Sequence, residues 1–149
     1  MLIGIPVRIN ADLLFVLAKM GHGDKIVIAD ANFPSDSTAT SCVHKEVIRV
    51  SGKTSEVLDD ILKLIPLDQY VDYSVAVMDR VESDKEKDLH VPAYDAIAKS
   101  ILNSHINDAK MEYVERFNFY DRARECFAVI QTDDTSLYAN VIISKGVVG

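Results

Sequence analysis

The run Met20-Gly-His-Gly-Asp-Lys-Ile-Val-Ile-Ala-Asp-Ala-Asn-Phe-Pro34 decides how this chain folds. An apolar helix is expected to end at Gly21, with His22 on the turn that follows. Ile26 to Ala29 then reads as a short buried strand, with Asp30 and Asn32 emerging at its far end and Pro34 closing it. Polar groups thus flank both ends of one hydrophobic strand, and strand ends are where open α/β sheets place ligand chemistry. A histidine between two glycines also has a backbone free to take unusual dihedrals. The plain alternative is a glycine helix stop followed by a turn histidine.

Working outward, Asn10 caps a helix whose Leu13, Leu14, Leu17 and Ala18 recur at helical spacing, with Asp12 in its first turn. Lys25 to Ala29 is the first strand and Val47 to Val50 the second. Ser35 to Lys45, rich in Ser and Thr, reads as the loop between them. A second helix spans Thr54 to Ile65, with Val57, Leu58, Ile61, Leu62 and Ile65 on one face and Pro66 as its stop. Val75 to Met78 is an apolar run. Pro92 fits the first turn of a helix striped by Tyr94, Ile97, Ala98, Ile101 and Leu102. Met111 to Val114 reads as a strand, Arg116 to Arg124 as a short helix, and Phe127 to Gln131 and Val141 to Ser144 as two further strands. Helices and strands alternate with no linker and no repeat. The pattern predicts one α/β domain over residues 1–149, a sandwich of helices around a largely parallel sheet, with a hairpin at its C-terminal end.

Composition narrows the function classes. A chain of 149 residues, 48% hydrophobic with only 4 Pro and 6 Gly, can bury a single core and is not low-complexity. The net charge of −7, with Lys and Arg scattered among carboxylates, argues against a nucleic-acid partner. Ser83-Asp-Lys-Glu-Lys-Asp88 reads as a solvated loop of mixed charge. Cys42 and Cys126 lie far apart without Cys-x-x-Cys spacing, so no disulfide framework is expected. Met1 to Pro6 lacks the long apolar region of a signal peptide, and no run reaches the roughly 18 apolar residues of a membrane span. The expectation is a soluble, cytoplasmic protein without a membrane partner.

Familiar catalytic signatures are missing. Ser51-Gly-Lys-Thr54 ends like a phosphate loop, but Val47 stands where the motif needs its first Gly. Cys42 and His44 fall short of the three or four ligands of a zinc site, so no metal is expected. There is no Gly-x-Gly-x-x-Gly, Gly-x-Ser-x-Gly or His-Glu-x-x-His. What remains is a set of acid–base and hydrogen-bonding groups near expected strand ends: His22, Asp30, Asp68, Tyr120, Tyr138 and Asn140. Such a set can move protons and hold a hydroxylated ligand without a cofactor. Each also has a plain reading as a turn cap or core aromatic.

Met-Gly-His-Gly-Asp at 20–24, Asp-Ala-Asn-Phe-Pro at 30–34, Pro-Leu-Asp at 66–68 and Val-Met-Asp at 77–79 carry a resemblance. So do Ser-Asp-Lys-Glu-Lys at 83–87, Arg-Phe-Asn-Phe-Tyr at 116–120, and Tyr-Ala-Asn with Lys-Gly-Val at 138–147. In order from Ile3 to Val147, these motifs resemble the fucose mutarotase branch of the fucose mutarotase/ribose pyranase family, in its animal-type form. The resemblance implies cofactor-independent interconversion of the α and β anomers of a free monosaccharide, L-fucose first. One group takes the proton of the anomeric hydroxyl while another protonates the ring oxygen, and reclosure reverses the roles. Histidine, as a residue type, titrates near neutrality and suits both directions.

By the same resemblance, His22 matches the catalytic histidine and is assigned as proton donor to the sugar, with Asp68 and Tyr120 as the two candidates for the complementary proton transfer. Asp30, Tyr138 and Asn140 match sugar-contacting positions, Met78 a pocket position facing apolar sugar surface, and Arg116 a ligand or loop anchor. The family further implies a homo-oligomer whose neighbouring subunit completes the pocket. Ala139 departs from the usual Tyr-Gly-Asn, and a positive φ there would strain the turn. The Ser- and Thr-rich loop carrying His44 is a second departure. Ribose pyranase, or a broader sugar mutarotase, keeps the reaction and changes the sugar. A non-catalytic sugar-binding or regulatory module is the alternative of another class.

Overall fold

A computed structural model describes residues 1–149. Its elements, in chain order, are α1 (Ala11–Lys19), β1 (Lys25–Ala29), α2 (Ser35–Ala39), β2 (Ile48–Val50), α3 (Thr54–Leu62) and β3 (Val75–Met78). They continue with α4 (Glu82–Glu86), α5 (Pro92–Leu102), β4 (Met111–Val114), α6 (Arg116–Arg124), β5 (Ala128–Thr132) and β6 (Val141–Ser144). All strands join one sheet in the order β2-β5-β1-β6-β3-β4. The pairs β2/β5, β5/β1 and β3/β4 are parallel, whereas β6 runs antiparallel to both β1 and β3. Five strands therefore point one way, and only β6 is reversed.

Alternation along the strands sends successive side chains to opposite faces, so buried strands feed two cores. Ile26, Ile28, Val75, Val77, Ile130, Val141 and Ile143 share one apolar cluster with Leu13, Leu17, Val57, Leu58, Ile61 and Ile97 of α1, α3 and α5. Val27, Ala29, Ala76, Met78, Val129 and Ile142 share the other with Phe33, Ala39, Phe119, Ala123 and the two cysteines. This is the sandwich the periodicity predicts. Each fully buried Leu or Ile contributes about 1.5–3 kcal/mol, so the stripes of α1, α3 and α5 hold those helices more firmly than their propensities do.

Several expectations are corrected. No C-terminal hairpin forms, because β6 inserts between β1 and β3 rather than pairing with β5. Ser35 to Lys45 begins with a short helix, α2, whose Ser37 and Thr38 hydroxyls donate to the Pro34 carbonyl. Ser35, Thr38 and Ala39 are buried there, which a count of turn-forming residues does not reveal. The mixed-charge segment holds α4, none of whose residues is buried. Regular α3 stops at Leu62, and the Leu64 and Ile65 N–H groups then both donate to the Ile61 carbonyl. After α1 the chain turns extended at Met20, and the left-handed residue is Gly23 (φ +84), not Gly21.

The Ser51–Thr54 turn shows why it is no phosphate loop. Gly52 N–H donates to Asp133 Oδ1 at 2.8 Å and Thr54 N–H to Asp134 Oδ2 at 2.9 Å. The amides at the start of α3 thus already have carboxylate acceptors from the turn after β5. Asp134 also accepts from Ser136 N–H. Its burial works against ionisation, but these bonds outweigh it and hold the carboxyl below the ordinary value of 3.8.

Candidate active site

The sheet sorts the expected site residues into two groups, one at each end of β1. His22 precedes the strand, and its neighbour Gly23 donates to the Lys145 carbonyl just past β6. Asp68 reaches the same end because its N–H donates to the Ser144 carbonyl. There His22 Nε2 meets Asp68 Oδ1 at 2.9 Å, and Tyr70 N–H donates to that same oxygen at 3.0 Å. The two members differ in access: the His22 side chain is 46% exposed and that of Asp68 only 3%. Burial raises the Asp68 pKa, but the Tyr70 amide and His22 outweigh it and pull the carboxyl below 3.8.

An ionised Asp68 only accepts, so Nε2 carries the proton toward it and Nδ1 is the nitrogen left to act. Tyr70 adds an edge-on ring 5.3 Å from His22. Gly146 makes the close packing at this end possible, since a Cβ there would fall 2.5 Å from the Leu67 carbonyl oxygen.

The other group lies at the carboxyl ends of β1, β3 and β4. Asp30 and Asn140 are both buried and form a reciprocal pair. Asp30 N–H donates to Asn140 Oδ1 at 2.8 Å, and Asn140 Nδ2 donates to Asp30 Oδ2 at 2.9 Å. Asn32 N–H donates to Asp30 Oδ1 at 3.0 Å. Burial dominates here and raises the Asp30 pKa above 3.8 in spite of these bonds. Tyr120 packs edge-on against Phe33, with ring centroids 5.5 Å apart, and its hydroxyl oxygen accepts from Arg116 Nε at 3.0 Å. Its own proton therefore remains free to donate. Met78 is buried in the core cluster of this face. Its amide donates to the Asn140 carbonyl, and its carbonyl accepts from the Tyr94 hydroxyl at 2.6 Å.

Tyr138 takes the positive φ (+58), and the fully buried Ala139 does not. The strain expected at Ala139 is thus displaced by one residue, and the Ala139 carbonyl is bonded by the Thr54 hydroxyl at 2.8 Å.

In one chain the two groups are separated by the length of β1, about 15 Å. Asp68 meets His22, while Asp30, Met78, Arg116, Tyr120, Tyr138 and Asn140 gather at the opposite end. Sequence reasoning passed over Tyr70, whose amide bonds Asp68. It also passed over Asp84, which binds Tyr138 from a segment read as solvent-facing. The clustered carboxylates leave no metal-ligating group of three or more His, Cys, Asp or Glu. No helix is long and apolar enough to cross a membrane.

Fold and site together define an α/β protein with a mostly parallel mixed sheet and polar groups at both strand ends. Residues 3–148 match the RbsD / FucU transport protein family. The chain is 49% identical to the fucose mutarotase of Danio rerio, over 97% of its own length and 93% of that protein. It is 44% identical to the fucose mutarotase of Mus musculus, over 96% and 92%. A crystal structure of the fucose mutarotase from Streptococcus pneumoniae in complex with L-fucose superposes with a TM-score of 0.86 at 40% identity, covering 99% of this chain and all of that one. The chain belongs to the RbsD / FucU family.

Proposed function

We propose that this protein is an L-fucose mutarotase, an isomerase that interconverts the α and β anomers of the free sugar without a cofactor. The observation that carries the reading is the contact of accessible His22 with buried, ionised Asp68, in a chain 49% identical to a fucose mutarotase. Binding alone needs no histidine with a fixed tautomer, whereas ring opening needs a group that can give and take a proton. In opening, His22 Nδ1 takes the proton of the anomeric hydroxyl and gives it back on reclosure, and Asp68 orients the imidazole. Tyr120, its oxygen held by Arg116, gives its phenol proton to the ring oxygen in opening and recovers it on reclosure. Asp30 and Asn140 offer neighbouring donor and acceptor atoms to the sugar hydroxyls, with Tyr138 beside them and Met78 as apolar backing.

Because the two groups lie at opposite ends of β1, the working pocket forms between two copies of the chain. His22 and Asp68 of one protomer face Asp30, Tyr120, Tyr138 and Asn140 of the partner subunit. The protein is accordingly a homo-oligomer. A cytoplasmic setting is supported by Cys42 and Cys126, both buried and unpaired.

The test is saturation-transfer NMR between the two anomeric proton signals of L-fucose, with wild type and His22→Ala. Exchange is expected with the wild type and about 10²–10⁴-fold less with the variant, the range for general acid–base catalysis. Exchange on ribose and none on fucose would move the reading to a pyranase. Fucose binding without exchange would move it to a sugar-binding module.

A further inference from the structure

Tyr138 is held in a way its role in the sugar site does not by itself require. Its backbone lies in the left-handed region (φ +58), uncommon for a residue with a bulky side chain, so something outside the turn must fix the ring. Two contacts do so. The phenol donates to Asp84 Oδ2 at 2.5 Å and accepts from Val81 N–H at 3.1 Å. Val81 caps α4 and Asp84 lies within it, so both contacts come from one short helix.

That helix buries no residue of its own. Polar bonds keep it in place: Lys85 Nζ to Asp79 Oδ2 at 2.8 Å, and the Asp84–Tyr138 bond. Asp79 follows β3 directly, and its amide donates to the Val114 carbonyl at the end of β4. The helix is thereby tied to the strand ends where Asp30 and Asn140 lie. A phenol has one hydrogen bond to donate, and here Asp84 accepts it. Tyr138 can then meet a ligand hydroxyl only as an acceptor.

We propose that Asp84 is a positioning residue of the sugar site: it accepts the hydrogen bond of the Tyr138 phenol, fixes the ring at the carboxyl end of the sheet, and makes Tyr138 an acceptor toward the sugar. The inference rests on the reading of Tyr138 as a sugar contact. Burial and the Asp84 carboxylate both raise the Tyr138 pKa, in keeping with a phenol that holds its proton between two oxygens.

The experiment measures anomer exchange against L-fucose concentration for wild type, Asp84→Ala, Asp84→Asn, Tyr138→Phe and the double variant Asp84→Ala/Tyr138→Phe. A ¹³Cζ-tyrosine NMR titration reads the Tyr138 phenol in parallel. Asp84→Ala is expected to raise KM about tenfold, the loss typical of a hydrogen bond to a charged group, with kcat within about twofold. Asp84→Asn keeps an acceptor oxygen and is expected to recover most of that loss. In the Tyr138→Phe background, Asp84→Ala is expected to add less than about twofold, because the group it acts through is gone. The ¹³Cζ titration of Tyr138 is expected to move to lower pH in Asp84→Ala.

An unchanged KM in Asp84→Ala would overturn the proposal. So would an equal effect in both backgrounds, or an unmoved phenol titration. Absence of exchange in the wild type overturns instead the mutarotase reading, and the ¹³Cζ titration still decides whether Asp84 holds Tyr138. The melting temperature of Asp84→Ala is expected to fall by no more than about 5 °C, since α4 contributes nothing to either core and only polar bonds are lost.

Discussion

The two ends of β1 are built on different principles. At the amino end one working side chain stands in solvent, backed by a single buried carboxylate whose partners are His22 and the Tyr70 amide. At the carboxyl end the polar groups bond first to one another: Asp30 to Asn140 and Asn32, Tyr120 to Arg116, Tyr138 to Asp84 and Val81. The contrast separates two tasks. A group that must change protonation needs access and a fixed tautomer, while groups that read a polyol need their positions locked beforehand. On the proposed reading each task falls at a different end of the chain, and a pocket built from both ends takes two chains.

That division can be broken most forcefully by complementation. His22→Ala and Tyr120→Phe are each expected to lose exchange by about 10²-fold or more. Co-expressed with different tags and purified as mixed oligomers, they should recover about a quarter of wild-type exchange, because random pairing in a symmetric assembly rebuilds one intact site in four. Mixed oligomers with no recovered exchange, or a wild type that scatters light as a monomer, would show that both groups serve one chain's own pocket.

Much of this arrangement was legible in the sequence. His22 before Ile26–Ala29 and Asp30 after it already assign the two residues to opposite ends of one strand, because a strand has direction. The stripes of Val57, Leu58, Ile61 and Leu62, and of Ile97 and Ile101, mark the helices that cover one face. What escaped is non-local or built on polar bonds. Nothing in Val141–Ser144 announces that it slots antiparallel between β1 and β3, since its four buried residues fit any central strand. Placing β6 there is what brings Asp68 to His22 and Asn140 to Asp30. Helix α4 has no apolar face to betray it, and Asp84 reads as one more surface carboxylate until Tyr138 is seen to reach it.

The carboxyl end, being locked, should answer in stability where the amino end answers in rate. Asn140→Ala strips partners from the Asp30 amide and from Asp30 Oδ2, both buried. Leaving such groups unsatisfied costs about 2–4 kcal/mol, read as a lower urea midpoint at unchanged slope. His22→Ala takes one partner from Asp68 but leaves the Tyr70 amide and opens the carboxylate to water, so it is expected to cost less, about 0.5–1.5 kcal/mol. Equal destabilisation by the two variants would erase the distinction between the ends.

The smallest effect is also the sharpest test, because the two carboxylates should respond to pH with opposite sign. Folding lowers the Asp68 pKa from 3.8, so Asp68 adds stability above that value and loses it as pH falls through its folded-state value. Folding raises the Asp30 pKa, so Asp30 contributes fully below 3.8 and loses its contribution as pH rises through its folded-state value. Asp68→Asn should therefore fall further behind wild type as pH climbs from about 2 to 7, while Asp30→Asn should gain on it over the same range. Urea midpoints measured at intervals across that span read the two differences directly. The constant offset that each amide introduces through changed hydrogen bonding does not matter, since the sign lies in the slope. Slopes of the same sign would mean that one of the two carboxyls sits in an environment other than the one described, and the asymmetry between the His22–Asp68 contact and the buried Asp30–Asn140 pair would fail with it.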